Sequence, residues 1–387
     1  MRRSALLLPV LLAAVPATLS MARAEVTRTI RVELPATELS RFVVENLAGA
    51  MKITIGPGPG VVAIATIHAE NDELAAAMRF ERVEGGPPAE ESGAPTLRVR
   101  YPLDKHSSLR FPRKDGDSWF ICKLIDIGRT RLKYDGHQVS VSNHSGVLLY
   151  ADVEVQVPNR DLGATFRNRI GRLDGRGIRG TIRYDTDSGD ISVDDGRGAV
   201  VADTGSGDVT IAGLRGTARC DTGSGDCDLR DIEGDELKAD TGSGDITVRG
   251  GKVRRLTGDT GSGDIRALDV DLEEFKADTG SGDVELQTRS VARLTRVKAD
   301  TGSGDVVLRL GPNASFEAFA DQGSGDIVNR YSDAQPIIKN KELIGYKRGS
   351  GAIRIMVDTG SGDLTLDPGG VSEVRDRSEE SGSTRSR

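Results

Sequence analysis

One hexapeptide constrains the fold of this chain more than any other feature of its sequence. Asp-Thr-Gly-Ser-Gly-Asp occurs unchanged seven times, beginning at Asp203, Asp221, Asp240, Asp259, Asp278, Asp300 and Asp358. Variants begin at Asp185 and Asp321, and the successive spacings are 18, 18, 19, 19, 19, 22, 21 and 37 residues. A short and nearly constant period indicates a solenoid, in which each repeat buries its apolar face against its neighbours.

Apolar and polar residues alternate on both sides of each hexapeptide, which predicts two strands per repeat. Val209-Thr210-Ile211 follows one copy and Leu237-Lys238-Ala239 precedes another. At ~3.3 Å per residue, a repeat of this length has a contour of about 60 Å, enough for two short strands and two tight turns. We therefore predict an all-β fold, a flattened two-sheet β-solenoid with 18–19-residue coils and about ten coils in all.

The repeat and its flanks divide the chain into four predicted regions. They are a signal peptide (1–24), an irregular β-rich N-terminal region that caps the solenoid (25–160), the repeat solenoid (161–368) and a disordered polar tail (369–387). Residues 332–348 are interpreted as a loop inserted into one long coil. Degraded turns of the same kind are predicted earlier in the chain, at Glu45 to Gly49 and Asn143 to Gly146. The tail is expected to leave the solenoid at the end opposite the N-terminal region.

The first 24 residues have the features of a secretory signal. Arg2 and Arg3 precede an apolar stretch, and Ala22-Arg23-Ala24 forms a cleavage site of the A-x-A type. The sequence therefore predicts export to the periplasm or the cell surface. No later stretch has the length of apolar residues that a membrane-spanning helix needs, so no transmembrane segment is predicted in the mature chain.

Composition excludes several classes of protein. The formal net charge is −7, which gives no general footprint for nucleic-acid phosphates. Three cysteines cannot make a disulfide scaffold. Glycine makes up 48 of the 387 residues, well above the usual ~7%, and the nine hexapeptides hold 17 of them (seven times two, plus one, plus two). The glycine excess therefore belongs to turns rather than to a disordered chain.

The motifs together resemble a known bacterial family. They are Val44-Glu45-Asn46 with Gly49, the strand Val153 to Pro158, and the Thr-x-Ser-Gly-Asp turns followed by Ile or Val. The chain resembles, over residues 28–367, the exported β-strand-repeat proteins catalogued as a domain of unknown function and labelled "putative adhesin". This resemblance implies a β-solenoid at the cell envelope with no established catalytic residues. The chain departs from the family in its unusually uniform turns and in an enlarged excursion at residues 102–142.

The repeated turns admit three chemical interpretations. In the structural one, glycines permit tight turns while Asp, Thr and Ser bond backbone amides. In the second, stacked aspartates form ladders at ~4.8 Å spacing whose oxygens bind calcium. The calcium candidates are Asp203, Asp208, Asp221, Asp226, Asp240, Asp245, Asp259, Asp264, Asp278 and Asp283. In the third, the acidic edge holds a repeating or cationic ligand by many weak contacts. The turns on the opposite edge are expected to share no acidic pattern.

Two cysteines lie at inward positions around one hexapeptide. Cys220 and Cys227 can form a disulfide in an oxidising compartment or remain buried thiols that pack as small apolar groups. The four histidines lack the spacing of metal ligands, and no catalytic or cofactor-binding residue is predicted.

These observations lead to a functional hypothesis with two alternatives. The hypothesis is a non-enzymatic exported β-solenoid that acts as an envelope scaffold or adhesin-like binding protein. The alternatives are a calcium-binding β-roll and a polysaccharide-active enzyme on a solenoid frame. No cofactor is expected apart from calcium in that alternative. The partner is unknown, and an envelope component, a surface polysaccharide or a cationic peptide fits the sequence.

Overall fold

Almost all of the regular structure is β-strand, as the alternation predicts. The structure, a computed structural model, describes residues 25–35, 41–84, 94–112, 129–321 and 323–369. The predicted signal peptide (1–24) and all but the first residue of the predicted tail (369–387) lie outside the described residues, so both stay predictions.

The N-terminal part of the chain contains strands and a short helix. They are β1 (Val26–Leu34), β2 (Phe42–Ala48), β3 (Met51–Ile55), β4 (Val61–Ala69), α1 (Asp72–Ala77), β5 (Arg79–Glu84), β6 (Pro95–Arg100), β7 (Ser108–Arg110), β8 (Thr130–Tyr134), β9 (His137–Ser142) and β10 (Val147–Val157). Asn71 caps α1 because its side chain accepts a hydrogen bond from the amide of Leu74 (2.9 Å).

Each later repeat adds one strand to each of two parallel sheets. Strands before a hexapeptide form the entry sheet: β11 (Asp161–Ile170), β13 (Arg179–Thr186), β15 (Arg197–Thr204), β17 (Arg215–Thr222), β19 (Glu233–Thr241), β21 (Lys252–Thr260), β24 (Arg296–Thr301), β26 (Phe316–Asp321) and β30 (Ile353–Thr359). Strands after it form the exit sheet: β12 (Leu173–Arg176), β14 (Ile191–Asp194), β16 (Val209–Ala212), β18 (Cys227–Arg230), β20 (Ile246–Arg249), β23 (Val284–Thr288), β25 (Val306–Arg309), β27 (Ile327–Asn329) and β31 (Leu364–Asp367). β22 (Ile265–Thr279) runs through both sheets, and β28 (Gln335–Lys339) and β29 (Glu342–Arg348) follow β27.

The register of these strands confirms the predicted two-sheet β-solenoid. Asp203 pairs with Asp221 in the entry sheet, and Val209 pairs with Cys227 in the exit sheet. Equivalent residues therefore stack directly on one another. We call the edge formed by the hexapeptides the turn edge, and the edge where an exit strand leads to the next entry strand the return edge.

The core lies between the sheets and is narrowest beside the turn edge. Inward residues such as Val200 and Ile211 are buried, and the position before the hexapeptide is small in most coils, as at Ala202. In the coils near the N-terminal end the equivalent position is aromatic, with Phe166 and Tyr184 stacked in register. Glycine at position 175 leaves room for the Tyr184 ring, because a Cβ there would lie 2.2 Å from Tyr184 Oη.

The first coil of the stack comes from residues 42–55, where the sequence predicts an early turn of the same kind at Glu45 to Gly49. Asn46 of β2 pairs with Asn168 of β11, and Met51 of β3 pairs with Leu173 of β12. The predicted boundary at residue 160 is therefore wrong as a division between cap and coils. The other N-terminal strands extend both sheets beyond this coil, with β6 on β2 and β10, β4 and β1 beyond β3.

The excursion at residues 102–142 adds a small third sheet of β7, β8 and β9 beside β10. Tyr134, at the end of β8, is buried and donates a hydrogen bond to the carbonyl of Val99 (2.7 Å). Tyr101 meets the Tyr134 ring edge-on at 5.9 Å and donates to the carbonyl of Ala48 in the first coil (3.1 Å). Aromatic side chains thus join the excursion to the N-terminal end of the solenoid.

The coils at the C-terminal end do not stack in chain order. β30 lies between β24 and β26, and β31 lies between β25 and β27. The coil of Asp358 is therefore inserted between those of Asp300 and Asp321. The last described strand, β31, therefore lies one coil inside the C-terminal end, and the predicted exit of the tail lies outside the described residues.

The interpretation of residues 332–348 as a loop is also wrong, because β28 and β29 form an antiparallel hairpin. Asn340 and Lys341 take the left-handed backbone conformation (φ 52° and 74°) that two-residue hairpin turns require. β29 also pairs antiparallel with β26, the outermost entry strand. The hairpin covers the edge of β26, whose backbone groups would otherwise be unpaired. The chain then continues into β30, which lies between β24 and β26.

Glycines at the fifth position of the hexapeptide set the distance between coils at the turn edge. A Cβ at Gly225 would lie 1.9 Å from the carbonyl oxygen of Gly207 in the coil before it. The same close approach recurs along the described stack at Gly49, Gly171, Gly189, Gly207, Gly225, Gly244, Gly263, Gly282, Gly304, Gly362 and Gly325. No side chain fits at this position without separating two coils.

We predict that Gly225→Ala lowers the free energy of unfolding by about 1–3 kcal/mol, because the methyl group must displace the backbone of the neighbouring coil. Gly58→Ala is the matched control, because a Cβ at Gly58 meets no atom within 4 Å. Urea unfolding of both variants measures the difference. Equal stabilities for the two variants would contradict the close packing of the turns.

Candidate functional site

Threonines at the second position of the hexapeptide bond two coils together. Thr241 is buried, and its hydroxyl donates to the carbonyl of Gly225 in the coil before (2.9 Å). The same hydroxyl accepts a hydrogen bond from the amide of Gly244 in its own turn (3.1 Å). Both bonds recur at Thr222, Thr260, Thr279 and Thr301. These hydroxyls satisfy backbone groups for which the turn has no strand partner.

Aspartates at the sixth position form a second ladder of hydrogen bonds. Oδ1 of Asp226 accepts from the amide of Asp245 (2.9 Å), and Oδ1 of Asp245 accepts from the amide of Asp264 (2.9 Å). The ladder runs through Asp190, Asp208, Asp226, Asp245, Asp264, Asp283, Asp305, Asp363 and Asp326. Along this row, each accepting carboxylate has one oxygen engaged by the backbone of the adjacent coil.

Aspartates at the first position lie on the outer face of the entry sheet and pair with basic residues. Arg219 Nη2 lies 2.9 Å from Asp221 Oδ2, and Lys238 Nζ lies 3.6 Å from Asp240 Oδ2. Lys276 and Lys298 make the equivalent contacts to Asp278 and Asp300 at 3.9 and 4.0 Å. Each of these cations stands two residues before its aspartate, so the charges along this face largely compensate.

Four coils lack this basic residue and carry Val201, Thr257, Phe319 or Met356 in its place. Burial raises the pKa of Asp203 above its ordinary value, against the lowering effect of Arg183. Burial also raises the pKa of Asp259, with added repulsion from Asp278 and Asp240. Asp203 is compensated by Arg183 of the preceding coil, whose Nη2 lies 2.5 Å from Oδ2, whereas Asp259 has no ion pair with any of the described residues.

The ten calcium candidates separate into these two rows. Asp203, Asp221, Asp240, Asp259 and Asp278 lie on the sheet face, and Asp208, Asp226, Asp245, Asp264 and Asp283 lie in the hydrogen-bonded turn ladder. In the part of the chain that the structure describes, no three His, Cys, Asp or Glu residues form a group that could hold a metal ion. Calcium binding stays a prediction that a titration must test.

Cys220 and Cys227 form a disulfide in the structure, one of the two states that the sequence allowed. Both residues are buried between the sheets, where the preceding coil has Ala202 and Val209. Their Cα atoms are 6.4 Å apart across the hexapeptide of that coil. The bond therefore joins the entry strand to the exit strand just inside one turn.

The return edge has an acidic pattern that the sequence analysis missed. One position there takes the left-handed conformation in successive coils and is alternately glycine and aspartate: Gly177, Asp195, Gly213, Asp231, Gly250 and Asp269. Oδ1 of Asp231 lies 2.4 Å from where a Cβ of Gly250 would be, and Oδ1 of Asp195 lies 3.0 Å from that of Gly213, so these two aspartates project over the glycine of the next coil. The expectation that the turns on this edge share no acidic pattern is wrong. The aspartates recur in the sequence with a period of two coils rather than one.

A column of charged residues also runs along the return edge, at the starts of the entry strands. Its members pair in register in the order Asp161, Arg179, Arg197, Arg215, Glu233, Lys252 and Asp271. Two open cavities, of about 540 and 310 Å³, lie along this column. Its sequence signal is Arg-Gly at residues 179, 197 and 215, a period of 18 that the hexapeptides obscure.

A histidine near the start of the described chain lies between two carboxylates. His68 Nε2 is 3.2 Å from Asp152 Oδ2, Nδ1 contacts the carboxylate of Glu25, and the ring stacks on Tyr150 at 4.4 Å. The hydrogen bond to Asp152 raises the pKa of His68, with Glu25 acting in the same direction against the effect of burial. The cluster ties residue 25 to β4 and β10, and sequence spacing gives no sign of it.

Comparison with known proteins identifies one family and distant structural likenesses. The model of the family "Toastrack DUF4097" matches residues 137–367. A "putative lipid binding protein" from Parabacteroides distasonis is 14% identical, with a TM-score of 0.38 over 88% of this chain and 97% of its own. A "putative cell adhesion protein" from Clostridium sporogenes is 8% identical, with a TM-score of 0.22 over 88% of this chain and 99% of its own. No curated protein matches the chain.

The described residues include no helix with the length and apolar character needed to cross a membrane.

We predict that Thr241→Val lowers the free energy of unfolding by about 1–3 kcal/mol, because the amide of Gly244 and the carbonyl of Gly225 lose their partner in a buried place. Thr247→Val is the control, since Thr247 is partly exposed on the exit sheet. Chemical denaturation compares the variants, and an undiminished stability of Thr241→Val would contradict the bridging role of the hydroxyl.

We predict that Thr257→Lys lowers the pKa of Asp259 and raises the melting temperature at pH 7. In the wild type the folded-state pKa of Asp259 is raised, so ionisation of this carboxylate opposes folding above that pKa. The gain must therefore shrink as the pH falls below the ordinary Asp range, at about 3.9. Melting curves at pH 7 and pH 3, with an NMR titration of Asp259, test this prediction.

Thr365→Lys is the control for this substitution, because Thr365 stands between Val307 and Val328 on the exit sheet. An equal gain from both lysines, or a gain that persists at pH 3, would contradict the assignment to Asp259.

Proposed function

This chain belongs to the Toastrack DUF4097 family, and we propose that it is a non-enzymatic binding scaffold of the cell envelope, exported by its N-terminal signal. The observation that carries the proposal is the long surface of the solenoid, on which charged side chains repeat in register from coil to coil. Such a surface suits an extended partner, because many weak contacts at regular spacing together give a high affinity.

The chemistry of the repeated acids favours binding over catalysis. Hydrolysis of a glycan by acid–base chemistry needs two carboxylates with different roles on either side of one bond. Here the sixth-position aspartates accept backbone hydrogen bonds, and the first-position aspartates lie beside Lys or Arg in most coils. Repetition of the same environment gives no single pair a distinct role, which supports a scaffold rather than an enzyme on a solenoid frame.

The proposal is tested with the full chain from Glu25 onward, immobilised and exposed to detergent-solubilised envelope fractions. We predict saturable retention of an envelope component, competed by soluble protein and unchanged by chelator. The control column carries the same protein after thermal unfolding. Retention that chelator abolishes would support the calcium-binding β-roll instead, and release of glycan fragments from the fractions would support the enzyme. Equal retention on both columns would contradict a binding role of the folded solenoid.

A further inference from the structure

Three arginines stand one above the other where entry strands begin at the return edge. Arg179, Arg197 and Arg215 pair in register in three adjacent coils, which places their backbones ~4.8 Å apart. They lie on the outer face of the entry sheet, and Arg179 and Arg197 border the open cavity of about 540 Å³. We call this surface, with Thr181 and Ala199 beside it, the arginine groove.

The charges of the arginine groove are incompletely neutralised. Arg215 Nε lies 3.7 Å from a carboxylate oxygen of Glu233, at one end of the row. Arg179 Nε lies 3.4 Å from Asp161 Oδ1 at the other end, yet this buried nitrogen has no hydrogen-bond acceptor. Arg197, in the middle, has no ion pair with any of the residues described. Three like charges at this spacing repel one another, and an added anion would relieve that repulsion.

The backbone keeps this surface open. Glycine follows each arginine, at positions 180, 198 and 216, with φ of 113°, 109° and 145°. A Cβ at these positions would lie 2.1, 2.2 and 1.9 Å from a carbonyl oxygen of the adjacent coil. The strand pairing therefore excludes a side chain at the position that follows each arginine.

We propose that the arginine groove binds a linear acidic polysaccharide through its carboxylate groups. Guanidinium binds carboxylate through two parallel hydrogen bonds, and a row of them suits a polymer whose carboxylates recur at regular intervals. Threonine hydroxyls at positions 181 and 217 add donors and acceptors for sugar hydroxyls. This inference rests on the proposed function and names the substrate class of that binding surface.

The lining of the groove favours a glycan over a membrane lipid. Its large apolar residue is Leu162, which is 4% exposed, so the groove offers no apolar surface for acyl chains. The flanking carboxylates of Asp161 and Glu233 and the net charge of −7 also disfavour a nucleic-acid backbone of high charge density. A polymer with one carboxylate per sugar unit and many hydroxyl groups has a lower charge density than duplex DNA and fits these constraints best.

The test measures binding of polygalacturonate, a linear polyuronate, to the full chain from Glu25 onward, with uncharged dextran as the reference polymer. We predict salt-sensitive binding of polygalacturonate and none of dextran. Arg197→Gln should weaken it about tenfold, because a charge-assisted contact is lost. Arg197→Lys should recover part of the affinity, since lysine keeps the positive charge but cannot form two parallel hydrogen bonds to a carboxylate.

Arg249→Gln is the matched control, because Arg249 is an exposed arginine on the exit sheet and the substitution removes the same charge. Circular dichroism verifies that each variant is folded. Equal weakening by Arg197→Gln and Arg249→Gln would overturn the assignment of binding to the arginine groove, because net charge alone would then explain the affinity. Binding to phosphatidylglycerol vesicles but not to polygalacturonate would overturn the assignment of a polysaccharide as the ligand. Absence of binding to either probe would also overturn the proposal, whereas the envelope retention experiment would still decide the scaffold function.

Discussion

The structure depends on the contact between the fifth-position glycine of one hexapeptide and a backbone carbonyl of the adjacent coil before it. At Gly225 and Gly244 this approach leaves no space for a methyl group. The close approach allows the threonine hydroxyl to reach the carbonyl of the adjacent glycine, and the aspartate carboxylate to reach the adjacent amide. Glycine, threonine and aspartate are thus three parts of one hydrogen-bonded joint, which explains why the hexapeptide is repeated without change.

This joint also determines how charge is distributed. The turn edge looks strongly acidic in the sequence, yet its carboxylates are held by amides or lie beside arginine and lysine. The return edge looks unremarkable in the sequence, yet its arginine row is only partly neutralised. The turn edge therefore stabilises the fold, and the return edge carries the charged groups that are available to bind a partner.

Much of the fold could be predicted because the period of the repeat is short and each coil contacts its neighbours. The order of coils at the C-terminal end could not be predicted. The hexapeptides at Asp300 and Asp358 are identical and the one at Asp321 differs by one residue, so the sequence of the turns does not distinguish one order from another. The structure places the hairpin after β27, and β30 returns between β24 and β26. The first coil could be predicted only as an isolated degraded turn at Glu45 to Gly49, because Asn46 and Gly49 keep only the spacing of the turn. The arginine row was missed because its period coincides with that of the hexapeptide.

Amide hydrogen exchange tests the central claim most directly, because it measures whether the turns are bonded or merely exposed. The amides of Gly244 and Asp245 each donate to a side chain, whereas ordinary loop amides face water. We predict that both exchange as slowly as the amide of Val248 in the adjoining exit strand. Exchange of the two turn amides at the rate of an exposed loop, with Val248 protected, would show that the sheets alone hold the stack and would contradict the account.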